Sequence, residues 1–369
     1  MFLNKSLINR AFVQKDHYIY GMKKSELLNL LDQMDKQESS PANPHERVLL
    51  IDGLNLFFRN FAMMNFVNEQ GVHIGGLGGF IRSLNSLINQ VHPTSVYVVF
   101  DGVGSSTNRK NMLPEYKSGR NLVRITNWDV FENLEEEHDA KVDQIVRLIH
   151  YLKCLPVKTL SLDKVEADDI IAYLSDILPN KHDSQVFIVS NDKDFVQLVN
   201  DKVTLYRPAE KEYYTPQTVR DNFGILAENF IIYKTLLGDQ SDKVEGVKGL
   251  GQKGILKKFP ELAERYISFQ ELVEICAAKH KEHVVYSRVV FDMERLENNF
   301  RIMDLENPLI DDNDRAYMEE SVEEPVSALK LEAFLRLYHE DGLGKLIKNP
   351  EFALNDTYKV LNSFSKKVI

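Results

Sequence analysis

Carboxylates recur in this sequence where a site for hard cations would need them. Asp52 closes the apolar run RVLLID, Asp101 closes SVYVVFD, and Asp192 closes QVFIVSND. VEADDI (165–170) supplies Glu166, Asp168 and Asp169, and SNDKDF (190–195) places Asp194 beside Asp192. GDQSD (238–242) supplies Asp239 and Asp242, whose i,i+3 spacing predicts one shared helical face. Like charges held together raise one another's pKa, so these nine acids cannot share a partly buried site without cations. The dipole at a helix start favours an acid by only about 0.3–1 kcal/mol, too little to hold the EADD group ionised. All-oxygen ligands without cysteine select Mg²⁺, with Mn²⁺ as a substitute. Two such ions about 3.5–4 Å apart activate water and stabilise the leaving oxygen in phosphodiester cleavage. Any one of these aspartates alone reads as a cap or a solvated turn. Three strand-end aspartates together with EADD and DxD do not.

Two basic elements accompany the acids. NRKNMLPEYKSGR (108–120) combines Arg109, Lys110, Lys117 and Arg120 with Tyr116. Cations beside an aromatic suit a single strand with a stacked base, and a Lys or Arg near a scissile phosphate stabilises developing charge. GVKGLGQKG (246–254) places Gly246, Gly249 and Gly251 among Lys248 and Lys253, between the helical stretches 229–238 and 255–259. It reads as a helix–hairpin–helix element whose backbone amides approach phosphates while its lysines add charge without sequence readout. The plain alternatives are a solvated basic loop and an ordinary turn. GVHIGGLGGF (71–80) lacks the GK[ST] of a P-loop and reads as close helix packing or backbone contact with DNA. His150, His280 and His283 show no metal-ligand pattern, and Trp128, Phe57–Phe58 and Tyr213–Tyr214 read as packing residues.

The elements that must position these groups are α/β in pattern. Strands are predicted at 47–52, 95–101, 185–192 and 202–206, and helices at 80–91, 143–155 and 167–178. Strands alternating with helices imply a mostly parallel sheet covered on both faces. Ligands then sit at the carboxyl ends of the strands, where the three aspartates fall. After about residue 215 the pattern is almost wholly helical. Segment 103–142 is too long and polar for a plain loop and reads as an arch or lid. The expected partition is 1–46 as an N-terminal extension and linker, with a helix at 25–34; 47–215 as the core with arch 103–142; 216–310 as a helical DNA-binding region; and 311–369 as an acidic segment with terminal helices.

The chain has 369 residues, 43% hydrophobic and 27% charged, which excludes a wholly disordered protein. Two cysteines cannot build a disulfide scaffold. No apolar run approaches the roughly 20 residues that span a bilayer, and MFLNKSLINR has no signal-peptide character, so the cytoplasm is the expected compartment. The net charge of −10 argues against a nucleic-acid partner only on average. Windows 103–127 and 243–258 each carry five basic residues and one acid, while 311–324 is strongly acidic. Affinity for nucleic acid is therefore expected to fall steeply with salt.

These segments carry a resemblance. LLIDGLN (49–55), VVFDG (98–102), LPEYKSGR (113–120), VEADDI, SNDKDF and GDQSDKVEGVKGLGQKG (238–254) resemble, in family order, the motifs of the flap endonuclease or 5′-nuclease family, particularly the branch of phage 5′–3′ exonucleases and phage RNase H. The resemblance implies a PIN-like core, a helical arch and a helix–turn–helix DNA clamp. It implies cleavage near the junction of a 5′ single strand with duplex, removing RNA primers and flaps in phage replication. The substrates it implies are DNA with a 5′ flap or nick and RNA–DNA hybrids, with a single-stranded-DNA-binding protein or another replisome component as a protein partner. It puts Asp52, Asp101, Glu166, Asp168 and Asp169 in the tighter metal set, completed by Asp192, Asp194, Asp239 and Asp242. Lys117 and Arg120 would face the scissile phosphate, Tyr116 a terminal base, and the glycine-rich turn the duplex and a K⁺ ion. The N-terminal extension lies outside the family core, and VLNSFSKKVI offers no sliding-clamp peptide. The competing readings are a non-catalytic DNA-structure-binding protein of the same fold, which would lack part of the acid set, and a PIN-type single-strand ribonuclease, which needs neither clamp nor arch.

Overall fold

RVLLID folds as a central strand because it has no polar face to leave in water. In the computed structural model, β3 (Arg47–Asp52) is buried along nearly its whole length. Val48 and Leu50 pack on one side of the sheet with α5 (Ala167–His182), and Leu49 and Ile51 on the other with α1 (Gly53–Met63) and α2 (Gly75–Val91). A strand buried on both faces reads as a continuous apolar run rather than an alternating one.

The structure describes residues 18–19, 22–23, 43–118, 125–344 and 346–366. The chain divides into two units, Met1–Ala42 and Asn43–Ile369. In the first, β1 (Tyr18–Ile19) pairs antiparallel with β2 (Met22–Lys23). The helix expected at 25–34 lies outside the described residues.

In the second unit a six-stranded sheet has the order β5-β4-β3-β6-β7-β8. β4 (Ser95–Val99), β5 (Lys158–Leu160), β6 (Gln185–Val189) and β7 (Val203–Arg207) run parallel to β3, and β8 (Glu212–Tyr214) is an antiparallel edge. The chain leaves β3 towards β4 and β5 and returns through α5 to β6 on the other side. This reversal opens a crevice at the carboxyl ends of β3 and β6. Four strands were predicted; β5 and β8, three residues each, are too short to show a period.

α2 starts five residues before the predicted helix and takes in the glycine run. A Cβ on Gly75 would lie 2.0 Å from the Met64 carbonyl oxygen, and one on Gly76 2.5 Å from the Phe57 ring. The glycines thus serve close approach of α1 and α2. Segment 103–142 holds α3 (Thr107–Met112) and the start of α4 (Leu134–Leu152), nine residues ahead of the predicted helix. Beyond the sheet come α6 (Pro216–Phe223), α7 (Phe230–Leu237), α8 (Gln252–Lys258), α9 (Glu261–Glu264), α10 (Phe269–Lys279), α11 (Val284–Phe291) and α12 (Met293–Met303). α13 (Asp312–Glu323), α14 (Leu331–Glu340), α15 (Pro350–Thr357) and α16 (Lys359–Ser363) follow. Phe334, Tyr338, Leu354 and Tyr358 from α14, α15 and the joint before α16 fill the same core layer as α2 and α4. Arg147 and Tyr151 of α4 each lie 2.8 Å from Asp341 Oδ2, just beyond α14. Trp128 is 75% exposed and Phe58 44%, so neither is the packing residue expected. No helix among the described residues is long and apolar enough to cross a membrane.

Helix propensity alone favours Gly75→Ala by about 0.5–1 kcal/mol. The clash with the Met64 carbonyl decides otherwise: the variant should lose about 1–3 kcal/mol in urea unfolding. A gain in stability would show that the α1–α2 approach is not tight.

Candidate active site

The carboxyl rim of the sheet collects the acids. Asp52, the last residue of β3, caps α1: its Oδ1 accepts from Asn55 N at 3.0 Å and its Oδ2 from Ser190 Oγ at 2.9 Å. Asp101, exposed two residues beyond β4, accepts from Ala167 N at 2.9 Å and so caps α5. Glu166 is the N-cap residue of α5, and Asp168 and Asp169 lie in its first turn. Asp192 and Asp194 follow β6, where Asp192 Oδ1 receives Asp194 N at 2.9 Å.

Asp239 and Asp242 meet by a different route from the one their spacing predicts. They lie on no helix. β9 (Gly238–Asp239) pairs with β10 (Val244–Glu245), and in the turn between them Asp239 Oδ1 accepts from Ser241 N at 2.8 Å. A side chain bonded to backbone two residues on is an Asx-turn. It brings carboxylate oxygens of Asp194, Asp239 and Asp242 within 4.8 Å of one another.

Two linked groups result. Burial pushes Asp52 up to about 7, with help from Asp192 and Asp101 and against its bonds to Asn55 and Ser190. Burial and the charges of Asp192 and Asp52 carry Asp168 well above the ordinary range. Asp194 rises to about 7 for the same first reason, with Asp192 adding to it and Lys234 opposing. Burial also acts to raise Asp239, but the Lys234 ammonium outweighs it and holds the group near 2. Asp192 is the member that presses on both groups. Carboxyls lifted by burial and by one another are the donor set a hard divalent cation fits, and the protein's own cations hold only part of this charge.

Arg109 departs from its expected place. It is 3% exposed, so it is no surface handle for DNA. Its guanidinium binds both Asp169 oxygens at 2.5 and 2.9 Å and Glu166 Oε2 at 2.9 Å, and its Nε donates to Ile302 O of α12 at 2.8 Å. Burial acts to lower its pKa, but Asp169 and Glu166 raise it instead. Asp169 also accepts from Leu309 N at 3.1 Å. It is thus committed to fastening segment 103–118 to the core rather than presented as a metal ligand. Tyr116, 4% exposed, puts its hydroxyl 3.3 Å from Glu166 Oε2, and in this arrangement its ring is closed to a base. Lys117, at φ +57°, puts its Nζ 2.9 Å from Glu166 Oε1 and only 5.0 Å from the Tyr116 ring centroid. Lys110 is exposed, and Arg120 lies outside the described residues.

The glycine-rich turn presents Lys248, Gly249, Gly251 and Lys253 to solvent, with Gly249 in the left-handed region at φ +79°. A Cβ on Gly246 would lie 2.3 Å from the Leu237 carbonyl, so glycine is required where the turn folds back on α7. α11 and α12 brace it: Arg288 donates to Lys248 O at 2.5 Å, Asn299 to Glu245 O at 2.7 Å, and Arg295 to Glu245 O and Gly246 O. Guanidiniums thus already engage the Glu245, Gly246 and Lys248 carbonyls.

Sequence reasoning missed Lys234, which is 7% exposed and bonds both Asp194 and Asp239. Its signal was a single charge inside the apolar FIIYKTLL. It also missed Asn55, whose Oδ1 accepts from Asn191 N and Nδ2 at 3.0 and 2.9 Å and so fixes the loop after β6.

Residues 47–224 match the model of the 5′–3′ exonuclease N-terminal resolvase-like domain. A 5′–3′ exonuclease of Bacillus subtilis (strain 168) is 31% identical over 239 residues, covering 62% of this chain and 74% of that protein. The chain belongs to the 5′–3′ exonuclease family. DNA polymerase I of the same organism is 31% identical over 234 residues, but this exonuclease-family chain spans only 24% of that relative's length. In fold it is similar to a bacteriophage T5 5′-exonuclease with bound zinc (TM-score 0.57, 18% identity, 86% of this chain and 100% of the other). A second T5 structure, a flap endonuclease complex with DNA and metal ions, gives the same score over 99% of its chain. Family members are metal-dependent nucleases, and this acid cluster suits divalent ions.

Two outcomes follow for a chain with this rim. Arg109→Gln leaves Glu166 and Asp169 without their buried counter-ion and should cost about 3–5 kcal/mol in urea unfolding of the metal-free protein; a loss below about 1 kcal/mol would count against the fastening role. Asp52 and Asp194 titrate near 7 when folded and in the ordinary aspartate range when unfolded. Their contribution to metal-free stability is therefore full at low pH and lost as the pH rises through about 7. A divalent ion needs them ionised, so its binding near pH 6 should release protons, and this release should fade above about pH 8. Calorimetry in buffers of different ionisation enthalpy measures it, and pH-independent binding without proton release would contradict the assignment.

Proposed function

We propose that this protein is a Mg²⁺-dependent, structure-selective 5′-nuclease that hydrolyses phosphodiesters near the junction of a 5′ single strand with duplex. Its substrates are 5′-flapped or nicked DNA and RNA–DNA hybrids, and its task is removal of primers and flaps during phage DNA replication in the cytoplasm. The observation that carries this reading is the pair of carboxylate groups joined through Asp192 at the crevice of the sheet, with Lys117 beside them and the Lys248–Lys253 turn following directly on the hairpin that holds Asp239 and Asp242.

Bound Mg²⁺ supplies Lewis-acid stabilisation of the phosphate and lowers the pKa of an attacking water. Asp52, Asp101, Asp168 and Asp192, with Glu166, would hold such ions from the first group of carboxylates, and Asp194, Asp239 and Asp242 from the second. The Lys117 ammonium, resting on Glu166 here, turns to the scissile phosphate and stabilises charge developing there. Arg120 acts with it. Lys248 and Lys253 contact duplex phosphates and position the junction without reading sequence. Lys110 adds charge along the single strand.

The test is cleavage of a 5′-labelled flap duplex and a matching RNA–DNA hybrid, with Mg²⁺ or EDTA. Mg²⁺-dependent products near the junction are expected, and Asp192→Asn should lower turnover by at least about 10²–10³-fold while the flap still binds. Wild-type turnover by that variant would refute its role. Binding without cleavage would favour a structure-binding protein, and preference for single-stranded RNA would favour a ribonuclease.

A further inference from the structure

At the amino end of the sheet, opposite the catalytic rim, three potential ligands converge. His45 lies two residues before β3, His182 is the last residue of α5, and Glu323 the last of α13. α5 begins at the acid cluster and runs 16 residues to His182, so the two ends lie about 24 Å apart. The imidazoles stack with centroids 4.2 Å apart, and one ligand atom from each of the three residues lies within 4.8 Å of the others.

Their polar atoms are short of partners. His45 is 8% exposed, yet its Nδ1 has no hydrogen bond. His182 Nε2 is buried 3.1 Å from Glu323 Oε1, but the two are not aligned as donor and acceptor. An unpaired buried polar atom is costly, and two on stacked rings call for an explanation. Ligands bonded at about 2.0–2.1 Å to one tetrahedral ion stand about 3.3 Å apart, close to the His182–Glu323 separation. Burial and the neighbouring His182 hold His45 down to about 4, so its ring is neutral and able to ligate at physiological pH. Lys158 is the opposing charge; its ammonium is turned to Ser321 O and Val322 O at 2.6 and 2.8 Å, which satisfies the end of α13.

We propose that His45, His182 and Glu323 form a second metal site, for Zn²⁺ or a similar borderline ion, distinct from the all-carboxylate rim. Two imidazoles and a carboxylate suit Zn²⁺ and disfavour Mg²⁺. The site joins the entry to β3, the end of α5 and the end of α13, and so staples the acidic segment 311–324 to the nuclease core.

The experiment uses the full chain in excess Mg²⁺, which saturates the rim, with one equivalent of Zn²⁺. X-ray absorption should show two imidazoles on zinc, a ligand type the rim does not contain, and Zn²⁺ should raise the melting temperature. His182→Gln and Glu323→Gln should each weaken Zn²⁺ binding at least about tenfold. Glu323 is exposed, so its variant should keep the metal-free melting temperature and the Mg²⁺-supported activity. Zinc bound without imidazole, no zinc binding, or unchanged affinity in both variants would overturn the proposal.

Discussion

Mutual repulsion among carboxylates at one end of the sheet is the constraint around which the molecule is arranged. Parallel strands deliver Asp52, Asp101 and Asp192 to one rim, and α5 starts there with three more acids. The fold tolerates this concentration through the backbone amides of Asn55 and Ala167, the Ser190 hydroxyl, and three buried or half-buried cations, Arg109, Lys117 and Lys234. Asp52, Asp168 and Asp194 remain lifted above the ordinary carboxylate range. This residual charge deficit is what makes the rim a cation site rather than a settled ion-pair network.

The three internal cations divide the work. Arg109 binds both oxygens of Asp169 and ties segment 103–118 both to α5 and, through Ile302, to α12. Its planar fork suits a fixed two-oxygen partner. Lys117 and Lys234 are point charges on flexible stems, Lys117 set against Glu166 and Lys234 between Asp194 and Asp239, carboxylates that an incoming divalent ion would also claim. The arginine belongs to the framework, and the lysines stand where charge is exchanged.

What the sequence made legible follows from how local each signal was. β3, β4, β6 and β7 could be read because each is an apolar run closed by polar residues, and the acids at their ends follow from the parallel topology. β5 and β8 could not, because three residues carry no period. The pairing of Asp239 with Asp242 was right for the wrong reason, since an Asx-turn rather than a helix brings them together. Arg109 read as a DNA contact because its neighbours are basic; its partners are 57 and 60 residues away, and nothing in 108–120 announces them. The stacked histidines are likewise 137 positions apart, and nothing near either one announces the other.

The terminal helices carry one more consequence. Phe334, Tyr338, Leu354 and Tyr358 are interior residues of the layer that also holds Leu49, Ile51 and the α1–α2 pair. Similarity to the exonuclease domain model ends at residue 224, more than a hundred residues before them. The edge of the matched domain and the edge of the folding unit are therefore different places in this chain. A protein trimmed to residues 47–224 would keep every rim acid through Asp194 and lose one wall of the layer that keeps the central strand dry.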